Sequence, residues 1–445
     1  MHLQSRTATI LVCAALGWTT QAAAQDPITY WNERALAAVA PNPPVGRGNT
    51  PAVIIDLAMV HAAMHDAVQA YEQRFEPYVD PIAGATGSSA VAAAKAAHDV
   101  LVNRLPMQAG TLDGAYTSFL ASLSPAPSPA DVVGGEVVGS AAAVNIISER
   151  NGDGSFPSSF PQFTGGTAPG EWQPNAGTPG MVSPWGATVR LFALESLNRC
   201  QADLVPSLTS PEYTEAYDEV KALGSATSTV RTAEQSSIAK TFSGNFLAQY
   251  GRLLRDLAAA HLAGNGNLGA RARLFALTHI AMADAYICAW STKQQYDFWR
   301  PAQAIRRGDE DGNPLTEPDP GWTSYFSRNP NAAQNPNYPD YTSGANNFTG
   351  SFTRMLALFF DSDKPFESFA IYAFAPAVPL TPGVDPDPRI YSKFSEVAKD
   401  VIDARVYLGI HFRFADTEAR SQGRRVANDA FKNVLQPVSS KGKNK

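Results

Sequence analysis

The sequence predicts an all-α protein, and three observations predict it. Apolar residues recur at helical spacing in a long succession of segments. Several of these open on Ser-Pro or Thr-Pro, an N-cap followed by a proline at the first helical position. No segment shows the sustained apolar–polar alternation of a half-buried strand. The rest of the chain is gathered into long Gly-, Pro- and Asn-rich connections. With 445 residues, 44% of them hydrophobic, the chain can bury one large or two medium helical domains. A net charge of −6 provides no basic field for nucleic acid.

Residues 1–24 read as a secretory signal. Arg6 precedes an apolar run from Thr9 to Trp18, and Ala22, Ala23 and Ala24 suit cleavage before Gln25. That run is too short to span a bilayer, and no later run reaches about 18 consecutive apolar residues. The expectation is therefore a soluble periplasmic or secreted protein with no membrane span. Cys200 and Cys288 remain after cleavage. An oxidising compartment permits a disulfide between them; two buried thiols are the alternative.

Residues 26–48 read as an extended lead-in anchored by Trp31. Thr50 and Pro51 then open a helix over residues 53–68. His61 and His65 stand four apart on it, a spacing able to bind a metal, but with no third ligand they read as packing histidines. Residues 87–105, 108–122 and 128–150 read as further helices. From Asn151 to Ala187 the composition turns to Gly, Pro, Ser and Thr around Trp172 and Trp185, which suits a lid or a structural wrap. Helices resume at residues 211–223, 232–249, 253–262 and 268–294. Asp284 lies on the last of these among apolar residues and needs a partner, for which a site arginine is expected. Asp309 to Asn313 looks like half a calcium loop without its closing glutamate, and reads as a turn. Helices at 347–360, 388–405 and 416–434 complete the chain. The expected division is a signal at 1–24, an N-terminal helical half at 25–190 carrying the loop at about 151–187, a C-terminal half at 191–436 and a basic tail at 437–445.

The residues that carry chemistry lie between Lys293 and His411. Lys293 and Arg300-Pro301 read K-x6-R-P; Tyr341-Thr342-Ser343-Gly344-Ala345-Asn346 follows; Arg405, Gly409 and His411 read R-x3-G-x-H. On one continuous helix Lys293 and Arg300 would stand about 20° apart, so their heads would converge, with Pro301 ending the helix. Arg405 and His411 would stand about 240° apart, so Gly409 is expected to break the helix and re-aim the imidazole. Ser343 offers a hydroxyl and Gly344 a backbone that an anion can approach. Three cations, a hydroxyl and an imidazole suit a tetrahedral oxyanion such as phosphate or vanadate.

In this order the three motifs resemble the fingerprint of the vanadium-dependent haloperoxidase and type 2 phosphatidic acid phosphatase superfamily, on its haloperoxidase side. The resemblance implies two four-helix-bundle-like halves, with the site in the second. It implies that Lys293, Arg300, Ser343, Gly344 and Arg405 hold vanadate oxygens and that His411 binds the metal axially. His411, Arg405 and Lys293 are then the catalytic groups. Vanadate, or phosphate in the same site, is the implied cofactor, and hydrogen peroxide with a halide or small organic substrate the implied reactants. In the phosphatase branch the same histidine is the nucleophile and the substrate is a phosphate ester.

The chain departs from the pattern at Ala345, where the family places the acid–base histidine of Ser-Gly-His. Such assistance is commonly worth about 10²–10⁴-fold. Three readings stay open: a peroxidase, a phosphomonoesterase, and a non-catalytic oxyanion-binding relic. Asp340 and Tyr341 are candidate substitutes for the missing group. Asp416, and less directly Asp403, are candidates to orient the His411 imidazole.

Overall fold

The structure is a computed structural model that describes residues 25–328 and 335–438. The signal segment read at 1–24 and most of the basic tail lie outside the described residues. Among the described residues thirteen α-helices carry the fold: α1 (Pro27–Val39), α2 (Ile54–Glu72), α3 (Ser89–Arg104), α4 (Ala109–Ser122), α5 (Pro129–Glu149), α6 (Pro211–Leu223), α7 (Ala233–Thr241), α8 (Phe246–His261), α9 (Leu268–Tyr296), α10 (Pro301–Arg306), α11 (Gly344–Phe359), α12 (Phe394–Tyr407) and α13 (Arg413–Asn433). Two three-residue strands, β1 (Phe369–Ile371) and β2 (Arg389–Tyr391), pair antiparallel. The class is all-α.

Local chemistry sets many of the helix starts. Ser88, Ser210 and Asn245 each accept a first-turn amide, and Ser128 and Thr232 close reciprocal capping boxes with Asp131 and Gln235. The expected lead-in at 26–48 is corrected by the same chemistry. Asp26 accepts from the Thr29 amide, Pro27 takes the first position, and the buried Trp31 lies on helix α1. The segment read as one helix at 232–249 is two, α7 and α8. Ser243 and Gly244 lie in the break between them, and the Phe374 carbonyl passes where a side chain on Gly244 would stand. The segment read as helix at 388–405 begins as strand β2 and becomes helical only at Phe394.

Helix α9 organises the core. It runs 29 residues, nearly all buried, and packs on α2 on one side and on α11 and α13 on the other. At about 1.5 Å per residue it is long enough to cross a whole domain. Among the described residues three helical segments are long and apolar enough to cross a membrane: 51–72, 129–149 and 268–296. Two of the three have 94% of their apolar window buried inside the protein, which accounts for their hydrophobicity by packing.

Two buried polar groups were expected to need partners. Asp284 takes the amides of Phe192, Ala193 and Leu194 at 2.6–3.0 Å rather than a site arginine. It thereby fastens the end of the long connection to α9. Burial pushes its carboxyl up to about 6, against three donors that favour the charged form. His61 stacks on His279 of α9 with ring centroids 4.2 Å apart, and the Asn32 amide lies 3.0 Å from His61 Nε2. No group of three metal-ligating side chains exists among the described residues.

Cys200 and Cys288 are joined as a disulfide with Cα atoms 6.2 Å apart, which closes the open choice between bridge and thiols. It ties the connection before α6 to α9 across a sequence separation of 88. In the chain-entropy picture a loop of that size stabilises by about 4 kcal/mol. Chemical denaturation with and without reductant should show a loss of about 2–4 kcal/mol on reduction.

The histidine stack predicts acid lability. Burial holds His279 down to about 4 and His61 well below its ordinary value. Folding thus favours the neutral rings, and their contribution is complete above about pH 6.5. It is lost as pH falls toward the folded values, because the unfolded chain takes up protons first. For His279 the loss is on the order of 2 kcal/mol at pH 5. Thermal melts should fall steeply between pH 7 and 5, and His279→Gln should flatten that slope.

Candidate functional site

The three motifs meet in one buried cluster, although not by the local geometry expected. Helix α9 ends at Tyr296, and Asp297 turns left-handed with φ 47°. Lys293 and Arg300 therefore do not share a helix face. Pro301 begins α10 rather than ending α9, and Arg300 is the residue before it, in extended backbone. The break lets Arg300 approach from a different side. At the other end of the site the expected break is present: α12 ends at Tyr407 and Gly409 has φ 74°. A Cβ on Gly409 would also lie 2.3 Å from the Gly224 carbonyl oxygen, so position 409 requires glycine on both counts.

Ser343 and Gly344 form the start of α11, with Ser343 at the cap position but making no side-chain cap. The Ser343 amide instead donates to the Ala415 carbonyl at 3.1 Å, tying α11 to α13. These helices cross very closely. A Cβ on Gly423 would stand 2.2 Å from the Asn347 carbonyl oxygen, and one on Gly350 would stand 2.4 Å from that of Arg420. The crossing brings Asp416 of α13 to Asn346 of α11, whose side-chain amide donates to Asp416 Oδ1 at 2.7 Å.

The cations are held by backbone carbonyls. Lys293 Nζ donates to Pro339 O at 2.6 Å and Asp340 O at 3.0 Å. Arg300 donates through Nε to Tyr338 O at 2.7 Å and through Nη1 to Ile410 O at 2.6 Å. Arg405 donates through Nη1 to Phe242 O at 3.2 Å. The Tyr338 ring lies under both Lys293 and Arg300, at 4.9 and 4.7 Å, and the Phe246 ring faces Arg405 at 5.3 Å. Lys293, Arg300, Ser343, Arg405 and His411 are all at most 5% exposed.

These contacts leave polar atoms over. Arg300 Nη2, Arg405 Nε, Ser343 Oγ and His411 Nε2 are buried and have no protein partner. Buried groups of this kind are normally satisfied, so four such atoms in one cationic cluster fit a tetrahedral oxyanion held among them. Charge crowding is consistent with this. Burial, then the neighbouring Arg300, pulls Lys293 well below its ordinary value; burial alone lowers Arg405 most. Burial, then Arg300, Lys293 and Arg405, holds the His411 imidazole well below its usual range and hence neutral.

The carboxylates differ from expectation. Asp416 does not orient His411; it pairs with Asn346 and faces Ser343. Asp340 takes that place, with Oδ1 2.6 Å from His411 Nδ1, out of line for a hydrogen bond, and 3.8 Å from Arg300. Burial pushes the Asp340 carboxyl up to about 7. Asp403 pairs with Lys399 and Arg413 away from the cluster. The Tyr341 hydroxyl donates to Asp203 O at 2.8 Å and so points elsewhere. Sequence reasoning missed Tyr338 as the aromatic floor; its signal was the dense Tyr338-Pro339-Asp340-Tyr341 run just before Ser343.

The Gly/Pro-rich loop at 151–187 wraps the outside of this cluster. The Trp172 amide donates to Asp297 O, that of Trp299 to Gly170 O and that of Val182 to Asn337 O, at 2.8–3.0 Å. Phe298 packs edge-on against Phe412 and Phe414, which flank the His411 loop.

The fold and the buried cluster define a helical-bundle protein with a desolvated cationic centre. Residues 273–440 match the family described as the VCPO second helical-bundle domain. Over 180 residues the chain is 28% identical to vanadium chloroperoxidase of Curvularia inaequalis, a match covering 34% of this chain and 29% of that protein. The match thus spans less than a third of the relative's length. A bacterial vanadium-dependent iodoperoxidase superposes with TM-score 0.71 at 20% identity, over 93% of this chain and 97% of that one. A holo-type bacterial vanadium-dependent chloroperoxidase superposes with TM-score 0.69 at 18% identity, over 92% and 97%. Residues 273–440 thus match the second helical-bundle domain of the vanadium chloroperoxidase family, and the chain as a whole shares the fold of vanadium-dependent haloperoxidases.

The grip on the cations predicts the cost of removing one. Arg300→Ala and Arg405→Ala should each weaken binding of inorganic phosphate by about 100-fold, the loss typical of truncating a buried charge partner. Titration calorimetry measures this; unchanged affinity in both variants would place the anion elsewhere.

Proposed function

We propose that the chain is an exported vanadate-dependent enzyme of the haloperoxidase type, oxidising a halide or another small nucleophile with hydrogen peroxide. The observation that carries the reading is the set of partnerless buried polar atoms on Arg300, Arg405, Ser343 and His411. Lys293, Arg300, Arg405, Ser343 and the Gly344 backbone would hold vanadate oxygens, and His411 the metal. Bound vanadate supplies Lewis-acid activation of peroxide toward nucleophilic attack. The chain's own part is to neutralise that charge and exclude water. A proton on His411 Nδ1 faces the Asp340 carboxylate oxygen 2.6 Å away, and in that tautomer the Nε2 lone pair is free. The disulfide supports export, since such bonds persist in oxidising compartments.

The free Nε2 supports a second reading, a phosphomonoesterase with His411 as nucleophile. Lacking the acid at Ala345, it would be limited to esters with good leaving groups.

The reading is tested by titrating the purified protein with vanadate and assaying peroxide-dependent bromide and iodide oxidation in the same samples. Stoichiometric binding with oxidation is expected, and His411→Ala should abolish oxidation. Ala345→His should raise turnover by roughly 10–100-fold. Binding without oxidation, joined to cleavage of an activated phosphoester, moves the assignment to the phosphatase. No binding would be inconsistent with either.

A further inference from the structure

Asp416 is a fully buried carboxylate that the proposed function does not use. Its Oδ1 is held by Asn346, the residue after Ala345, while its Oδ2 has no partner. The Ser343 hydroxyl faces it, itself partnerless, without closing an aligned hydrogen bond. Asp416 is electrostatically coupled to Lys293, Arg300, Arg405 and Asp340, so its free oxygen belongs to the same buried cluster as the partnerless Arg300 Nη2 and Arg405 Nε.

Charge balance decides what that oxygen carries. Around it stand Lys293 on α9, Arg300 before α10, Arg405 on α12 and the second carboxylate Asp340 before α11, with the neutral His411 against Asp340. Three cations against two carboxylates leave one positive charge. A tetrahedral dianion entering the cluster reverses that sign in a site closed to water. One proton must then be taken up, and an ionised oxygen facing the anion is where repulsion is greatest.

We propose that Asp416, clamped by Asn346, is the proton-carrying acid of the cage: with an oxyanion bound, Oδ2 is protonated and donates to an anion oxygen, in place of the side chain absent at Ala345. The proton comes from solvent and bonds to Oδ2; no bond to the anion is made or broken. Burial already raises the Asp416 carboxyl well above its ordinary value in the absence of the anion. Asp340 is the less suited group, because it lies against His411 and Arg300 and accepts the Phe412 amide at 3.3 Å. The inference rests on the oxyanion-cage reading and goes beyond it in naming the acid.

Inorganic sulfate is the probe, because it is a tetrahedral dianion with no proton of its own. Its binding is followed by titration calorimetry from pH 5 to 10, in buffers of different ionisation enthalpy. Wild-type affinity should be flat at low pH and fall by about tenfold per unit at the alkaline end, where Asp416 is ionised before binding. At that end Asp416→Asn should take up one proton fewer per sulfate, while binding within a few-fold of the acid plateau, since its amide donates at any pH. Asp416→Ala should bind at least tenfold more weakly. Lys293→Arg should leave the Asp416 proton in place. An infrared difference spectrum at alkaline pH should show a carboxylic-acid C=O band appearing with sulfate, a readout that needs no variant.

Equal proton counts in wild type and Asp416→Asn, loss of the proton in Asp340→Asn instead, or no acid band would each overturn the proposal. So would binding of vanadate or phosphate with refusal of sulfate, which would mark Asp416 as an ionised acceptor for a protonated anion. Failure to bind any of the three anions would remove the cage reading itself.

Discussion

Three cationic side chains buried in one cluster are the constraint on which the rest of this structure depends. Lys293, Arg300 and Arg405 repel one another and have left water, and the charged form of each is disfavoured by its burial. Nothing local repays that cost in full. Backbone carbonyls of Phe242, Tyr338, Pro339, Asp340 and Ile410 return part of it, and aromatic faces of Tyr338 and Phe246 a little more. The remainder must come from the apolar core around α9, which explains why that helix is buried along nearly its whole length.

The same constraint explains the connections. Carbonyls can point at a buried cation only where the chain is not using them in helix ladders. The site is accordingly built from breaks: the left-handed turn at Asp297, the irregular approach through Tyr338 to Thr342, and the turn at Gly409. Each break would be loose alone. The long wrap through Trp172 and Val182, the Asp284 anchor, the disulfide and the glycine crossing of α11 and α13 hold them in register.

Much of this was legible in the chain. Helix periodicity and Ser-Pro or Thr-Pro starts placed α2, α3, α5, α6 and α9 close to where they lie, and the three motifs named the cations, the Ser343 hydroxyl and the His411 imidazole of the cluster, though not Tyr338. The misreadings share a cause. Lys293 and Arg300 were placed on one helix because spacing alone cannot show that Asp297 turns left-handed. Helix α1 lies in the segment read as an extended lead-in, although Asp26-Pro27 is itself a cap followed by a proline at the first helical position. Strand β2 was absorbed into α12, since three residues are too few to show a period.

The sequence by itself determined the helical class, the inventory of cations, hydroxyl and imidazole, and the vacancy at Ala345. Those are properties of residue type and of spacing along one chain. Only the tertiary structure decided which carboxylate faces which group. Asp340 stands against His411 and Asp416 against Asn346 and Ser343 because α11 and α13 cross at Gly350 and Gly423. That distance is set by two absent side chains acting between segments far apart in sequence, and no local pattern records it.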